Sequence, residues 1–234
     1  MGEIETLDRV VLEGKKRLYP AIWDPHWLVL RRRRLILQDW IANLPGEKLF
    51  VLDVGGRIQP YRPLLEGRLA GYIATDLRRT PLVHVVSRGE QLPFRPEQFD
   101  LVICTQVLQY VTEPGILVHE VLRVLRKGGS FFLSVPAVCP TDAYEECWRF
   151  LPGALRHLFA EFDHVEIIPE GRSISGFFRT ANACFNIFVR YPWLRWLYRR
   201  TLCPMLNVMG AGLESIVPSM NDQFVVNYSV FARK

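Results

Sequence analysis

The chain has 234 residues, of which 49% are hydrophobic and 23% charged, enough to bury a sizeable core in one domain with decorations. Its net charge of +5 arises from 29 basic residues largely offset by 24 acidic ones, so a nucleic-acid partner is not expected. No stretch is apolar enough to span a bilayer and none reads as a cleavable leader, so a cytoplasmic protein is expected.

Residues 1–43 read as a helical N-terminal appendage, ending in an amphipathic stretch from about Pro25 to Ala42 that carries the run Arg31 to Arg34. The pattern then changes to strand and helix in alternation. Leu49 to Val54 is a short apolar run closed by Gly55-Gly56, the mark of a buried parallel strand meeting a tight turn. A helix is expected over Tyr61 to Glu66, and strands over Gly71 to Asp76, Leu82 to Val86 and Phe99 to Cys104. Glu113 to Arg126 has helical periodicity, Lys127-Gly128-Gly129 turns the chain, and Ser130 to Val135 is a further strand. Val165 to Ile168 and Phe224 to Ala232 supply the last two strands, with a helical insertion at about 176–217 between them. Because each parallel crossover needs a returning helix, the alternation predicts an α/β fold: a mostly parallel, seven-stranded Rossmann-like sheet with helices on both faces, all within 44–234.

The five cysteines are odd in number, dispersed and never in a CxxC pair, and the five histidines are equally scattered. Neither a disulfide framework nor a structural zinc site fits that spacing, so no metal is assigned.

In open parallel sheets, ligands bind beyond the carboxyl ends of the strands at the switch point. Three signals fall there. Gly55 and Gly56 let the backbone approach a ligand, and N–H groups of a following helix start are expected to meet its carboxylate. Asp76, ending the second strand, can accept hydrogen bonds from both hydroxyls of a ribose. The loop Arg88 to Phe94 is placed to edge a purine ring.

The ordered blocks VLDVGG, YIATDL, GEQLPFRPEQFDLVICTQVLQYV and VLRVLRKGGSFFLSVP, over about residues 48–136, resemble the class I S-adenosylmethionine-dependent methyltransferases, in the small-molecule branch called type 11. The resemblance implies S-adenosylmethionine as cofactor. It places Asp53, Gly55 and Gly56 at the amino-acid end, Asp76 and Leu77 at the ribose, Glu90, Gln91 and Leu92 at the adenine, and Thr105, Gln106 and Val107 beneath the sulfonium. A long final segment resembles the family's antiparallel last strand. The family's first motif continues in alternating glycines where this chain has Arg57 and Gln59. Arg57 either pairs with the cofactor carboxylate or is a solvated or structural arginine. That departure motivates one rival reading, a methyltransferase-like binding protein without turnover. A nicotinamide-dependent oxidoreductase would share the fold but needs GxGxxG after the first strand, which is absent.

The acceptor is less legible. The family often has a histidine where this chain has Tyr110, which is either an acceptor contact or a packed aromatic. Tyr144 and Trp148-Arg149-Phe150 resemble a segment of methyltransferases acting in cell-envelope and polysaccharide pathways. Tyr144 and Trp148 are candidates to stack on a sugar or aromatic acceptor, with Asp142, Glu145 or Glu146 on its hydroxyls; the alternative is a capped helix with core aromatics. A small-molecule or glycan acceptor is therefore expected. In the insertion, Pro192 can start a helix with Trp193, Trp196 and Leu197 on one side and Arg195 and Arg199 on the other. It reads either as a peripheral contact at the inner membrane surface or as a pocket lid or dimer helix.

Overall fold

The computed structural model describes residues 5–140, 145–217 and 222–234. Its centre is a sheet of seven strands in the order β3-β2-β1-β4-β5-β7-β6. In chain order the strands are β1 (Leu49–Val54), β2 (Leu69–Asp76), β3 (Val85–Val86), β4 (Phe99–Thr105), β5 (Leu125–Pro136), β6 (His164–Pro169) and β7 (Asn227–Arg233). Strands β1 to β5 pair in parallel, and β7 runs antiparallel between β5 and β6. Since β7 opposes both neighbours, β6 is parallel to the rest, and its end shares one rim with the ends of β1, β2 and β4. The Rossmann-like expectation, antiparallel last strand included, is met.

One sheet face is covered by α3 (Pro114–Val124) and α4 (Pro152–Leu158), in a core that includes Phe99, Phe131, Phe159 and Val121. The other is covered by α2 (Trp27–Asn43), whose Trp40 meets Phe132 edge-on at 5.3 Å between ring centroids. Preceding it, α1 (Leu7–Leu18) lies so close to the chain after β1 that a Cβ on Gly14 would stand 2.4 Å from the Ile58 carbonyl oxygen. The insertion comprises α5 (Ser173–Phe188), α6 (Pro192–Arg200) and α7 (Leu202–Ile216).

Several expectations need correction. The segment after the glycine turn forms only a 3-10 turn, Arg62–Leu65, because Pro63 contributes no N–H and Gly67 follows closely. The third strand shrinks to Val85–Val86, since Leu82 and Val83 turn back onto Thr80. The third helix ends at Val124 and β5 starts one residue later, where Leu125 pairs with Phe99. The run Arg31 to Arg34 is not one solvated surface: Arg33 is buried, 3% exposed, because it lies on the α2 face turned to the sheet.

Candidate active site

The rim begins at β1. Gly55 holds φ +76°, a left-handed conformation suited to glycine, and a Cβ there would lie 2.1 Å from a Val107 methyl. A Cβ on Gly56 would collide with the Asp53 carboxyl and with Ala74. The glycine pair therefore lets the ends of β1, β2 and β4 close on one another. Both glycine N–H groups donate to the Thr75 carbonyl, at 2.8 and 3.0 Å. The expectation that N–H groups of a following helix meet a ligand carboxylate is thus overturned: no α-helix starts here, and these two donors are already used.

Asp53 is buried and accepts a hydrogen bond from the Tyr72 hydroxyl at 2.6 Å. Burial pushes its pKa up to about 7, opposed by the Tyr72 bond and reinforced by Asp76 nearby. Asp76, at the end of β2, is half-buried, with a pKa raised by burial against the pull of the Arg78 N–H, which donates to Oδ1 at 2.7 Å. Leu77 beside it is 65% exposed, an apolar side chain open to a ligand at the rim.

Arg57 lies near enough to Asp76 to pull its pKa down. Its guanidinium reaches Glu5 at 2.9 Å and Glu13 at 3.0 Å, so its charge is matched by the N-terminal segment and α1. These pairs are those of a structural arginine. Gln59, at φ +43°, turns its amide to the Leu82 carbonyl at 2.5 Å. Both departures from the glycine pattern are thus held by partners within the chain.

Past β3, Glu90 is half-buried and Gln91 exposed, while Leu92 is buried in the core. The Leu92 N–H donates to Glu120 and its carbonyl accepts from Arg123, which anchors the loop to α3. Leu92 therefore fixes the loop rather than facing a ligand. Thr105, Gln106 and Val107 follow β4 in order, with Gln106 at φ +58°. Its N–H donates to the Ser134 carbonyl at 2.8 Å and its Nε2 to Ser134 Oγ at 3.2 Å. Ser134 Oγ in turn donates to Glu170 at 2.6 Å, and Glu170 also accepts from Ser229 and from Arg33. This buried network joins α2, β5, β6 and β7 behind Gln106. Sequence reading gave Tyr72 and Ser134 no role, although both lie inside the family-like blocks, and missed Glu170, which follows β6 outside any motif.

Trp148 donates its indole N–H to the Val111 carbonyl at 2.8 Å, and the Gln109 carbonyl accepts the N–H groups of Cys147 and Trp148. That docks the segment beside Tyr110, which is 43% exposed; Trp148 is 42% exposed, so both ring systems offer surface next to the rim. Tyr144 and Asp142 lie outside the described residues. No group of three or more metal-ligating side chains occurs among the described residues.

The rim fits a nucleoside-bearing cofactor. A half-exposed carboxylate ends β2, glycines stand where any Cβ would fill the turn, and Ser87 Oγ and Gln109 Oε1, just past β3 and β4, are buried without a hydrogen-bond partner.

Residues 66–133 match the family model described as a methyltransferase domain. With the sheet order, this makes the chain similar to the class I S-adenosylmethionine-dependent methyltransferases of the type 11 branch. Among curated proteins, it is 30% identical over 151 residues to a ubiquinone biosynthesis O-methyltransferase of Pseudomonas putida, covering 56% of this chain and 64% of that protein. The chain thus spans somewhat under two thirds of that relative's length. Among solved structures, it is similar to a SAM-dependent methyltransferase from Archaeoglobus fulgidus, with a TM-score of 0.54, 13% identity, and coverage of 90% of this chain and 95% of that one. It is also similar to a Haemonchus contortus phosphoethanolamine N-methyltransferase solved with S-adenosylhomocysteine, with a TM-score of 0.55 at 14% identity, covering 94% of this chain and 60% of that one. At such identities the structural likeness speaks for the fold.

Proposed function

We propose that the chain transfers a methyl group from S-adenosylmethionine to a small-molecule acceptor. The observation that carries this reading is the convergence of Asp53, Gly55 and Gly56, Asp76, and Thr105 to Val107 on one rim. When bound, the cofactor supplies an electrophilic sulfonium methyl that an acceptor atom displaces in line. In this reading Asp76 accepts both ribose hydroxyls, Leu77 and the Glu90-Gln91 backbone border the adenine, and Thr105 to Val107 form the floor. Asp53 shapes the glycine turn through Tyr72. Much of the rate then comes from holding the acceptor close and aligned. A hydroxyl acceptor, as the name of the Pseudomonas relative suggests, must also lose its proton, and Tyr110 is the half-exposed group beside the rim that can contact it. Trp148 offers a flat ring for an aromatic or sugar acceptor. The pairs that hold Arg57 and Gln59 support turnover over a binding-only reading.

Calorimetric titration with S-adenosylhomocysteine tests this directly. The wild type should bind, and Asp76→Ala should lose about 1.5 to 3 kcal/mol of binding free energy through lost charge-assisted hydrogen bonds. No binding at millimolar ligand, or unchanged affinity in a folded Asp76→Ala protein, refutes it; binding of NAD instead would favour the oxidoreductase.

A second reading, peripheral contact with a membrane surface, is favoured by α6. Trp193 and Trp196 are 66% and 63% exposed, and Arg200 stacks over both Trp196 and Trp23. Exposed tryptophans among arginines suit the headgroup level of anionic lipid. Wild type should co-sediment with anionic vesicles at low salt and a Trp193→Ala/Trp196→Ala variant should not. Failure of both to sediment leaves α6 as a lid or dimer contact.

A further inference from the structure

We propose that the outer faces of α5 and α7 are lipid-immersed: they lie among the acyl chains of one membrane leaflet, deeper than the headgroup level assigned to α6. This rests on the membrane reading of α6 and extends it to two further helices and to a different depth.

A surface helix ordinarily turns its apolar stripe to the core and its polar side to water. The two longest helices of the insertion do the reverse. On α5, Ile174, Phe177, Ala181, Phe185 and Phe188 recur at helical spacing, and the three phenylalanines are 61%, 43% and 76% exposed. On α7, Met205, Val208, Met209, Leu213 and Ile216 do the same, each at least 41% exposed. No charged residue interrupts either stripe. Of the residues that α5 and α7 bury, only Phe178 and Cys203 are hydrophobic. The polar ones include Asn182, which donates to Asn207 at 3.0 Å and accepts from the Tyr198 hydroxyl at 2.7 Å. Asn207 in turn donates to the Ile22 and Asp24 carbonyls. Polar groups paired inside and apolar groups outside is the arrangement of helices whose solvent is lipid.

The two stripes share one side of the molecule. A hollow of about 330 Å³ joins them, lined by Ile174 and Phe177 of α5, Leu213 of α7 and Val217 just beyond it. Charge decides what covers this face. Residues 173–217 hold five arginines and one acid, Glu214, which already accepts the Arg172 and Ser175 backbone N–H groups. A second copy would bring arginine to arginine, whereas an anionic leaflet complements them. Arg195, Arg199 and Arg200 are exposed on α6 among Trp193 and Trp196, a composition suited to the headgroup level that flanks a lipid-facing surface. Because each stripe covers one side of its helix, α5 and α7 lie along the leaflet rather than across it.

The test is co-sedimentation with vesicles of phosphatidylcholine and phosphatidylglycerol at low and at high sodium chloride. High salt screens the arginine attraction and leaves acyl-chain contact intact, so the wild type should still sediment. Phe177→Gln/Val208→Gln/Ile216→Gln should weaken partitioning at high salt by about tenfold or more. Its Tm without lipid should match wild type, because all three side chains are exposed. Loss in this variant supports the immersed face, whether or not Trp193→Ala/Trp196→Ala also loses binding; if the tryptophan variant stays bound, the α6 reading alone fails. Loss confined to the tryptophan variant leaves the α6 reading standing and overturns this one. Absence of wild-type binding at both salt levels overturns both. A wild-type dimer in analytical ultracentrifugation without lipid, converted to monomer by the glutamine variant, overturns the proposal in favour of a contact between copies.

Discussion

The sheet rim and the helical cap above it each bury an arginine, and they treat it differently. At the rim, Arg33 meets Glu170, whose oxygens also accept from Ser134 and Ser229, so the charge is matched within the chain. In the cap, Arg179 Nη2 meets His26, and its Nε and Nη1 have no hydrogen-bond partner among the described residues. The difference teaches that strands bring a carboxylate to a buried cation, whereas the packing of α5 against the start of α2 brings it an imidazole. Burial of apolar surface drives both regions, but only the rim has the many strand-to-strand contacts that fix where a distant carboxylate must stand.

The largest expected effect breaks the matched pair. Glu170→Gln strands Arg33 and should cost about 3–5 kcal/mol of stability, read by urea unfolding. A loss below about 1 kcal/mol would mean that the rim charge is no better matched than the cap's.

Titration sharpens the comparison, because the two regions carry opposite signs. Asp53 at the rim has its pKa raised to about 7, so between about pH 4 and 7 the folded chain holds a proton that the unfolded chain releases. Its contribution to stability is therefore present at low pH and lost as pH rises through that window. His26 in the cap has its pKa lowered to about 4, so between about pH 6.5 and 4 the unfolded chain takes up a proton that the folded chain refuses. Its contribution is present above that window and lost as pH falls. Relative to wild type, the Tm of Asp53→Asn should improve as pH rises from 4 to 7, and that of His26→Gln as pH falls from 6.5 to 4. Parallel pH curves for the three proteins would dismiss both assignments.

The smallest effect separates support from position within the rim. Ser134→Ala and Ser229→Ala each remove one hydroxyl from the same Glu170 oxygen and should cost a similar ~1 kcal/mol of stability. Only Ser134 also holds the Gln106 side chain. Ser134→Ala alone should therefore weaken S-adenosylhomocysteine binding several-fold by calorimetry, with Ser229→Ala matching wild type. Equal affinities would confine the network to stability.

Much of this molecule was legible before any coordinates. The apolar run Leu49 to Val54 with Gly55-Gly56, the acid Asp76 at a strand end, and the order of blocks through Val135 needed only local rules: buried parallel strands are continuously apolar, and φ > 0 favours glycine. The short third strand and the missing helix after β1 were not legible, because Thr80 and Pro63 act through turn hydrogen bonds that periodicity does not record. The site divides in the same way. Asp76 falls on the rim as a strand-end rule places it and Thr105 to Val107 as the family resemblance implies, whereas Leu92 turned inward because Glu120 and Arg123 of α3 claim its backbone.

The sequence alone determined the sheet, its switch point and the residue types on the rim, since each depends on neighbours a few positions away. Only the tertiary structure decided the partners of the charges. Arg57 finds Glu5 and Glu13, Arg33 finds Glu170 across 137 positions, and Arg179 meets His26 with no acid partner among the described residues. Charge has no periodicity along the chain, so which arginine meets a carboxylate is settled by how the elements pack.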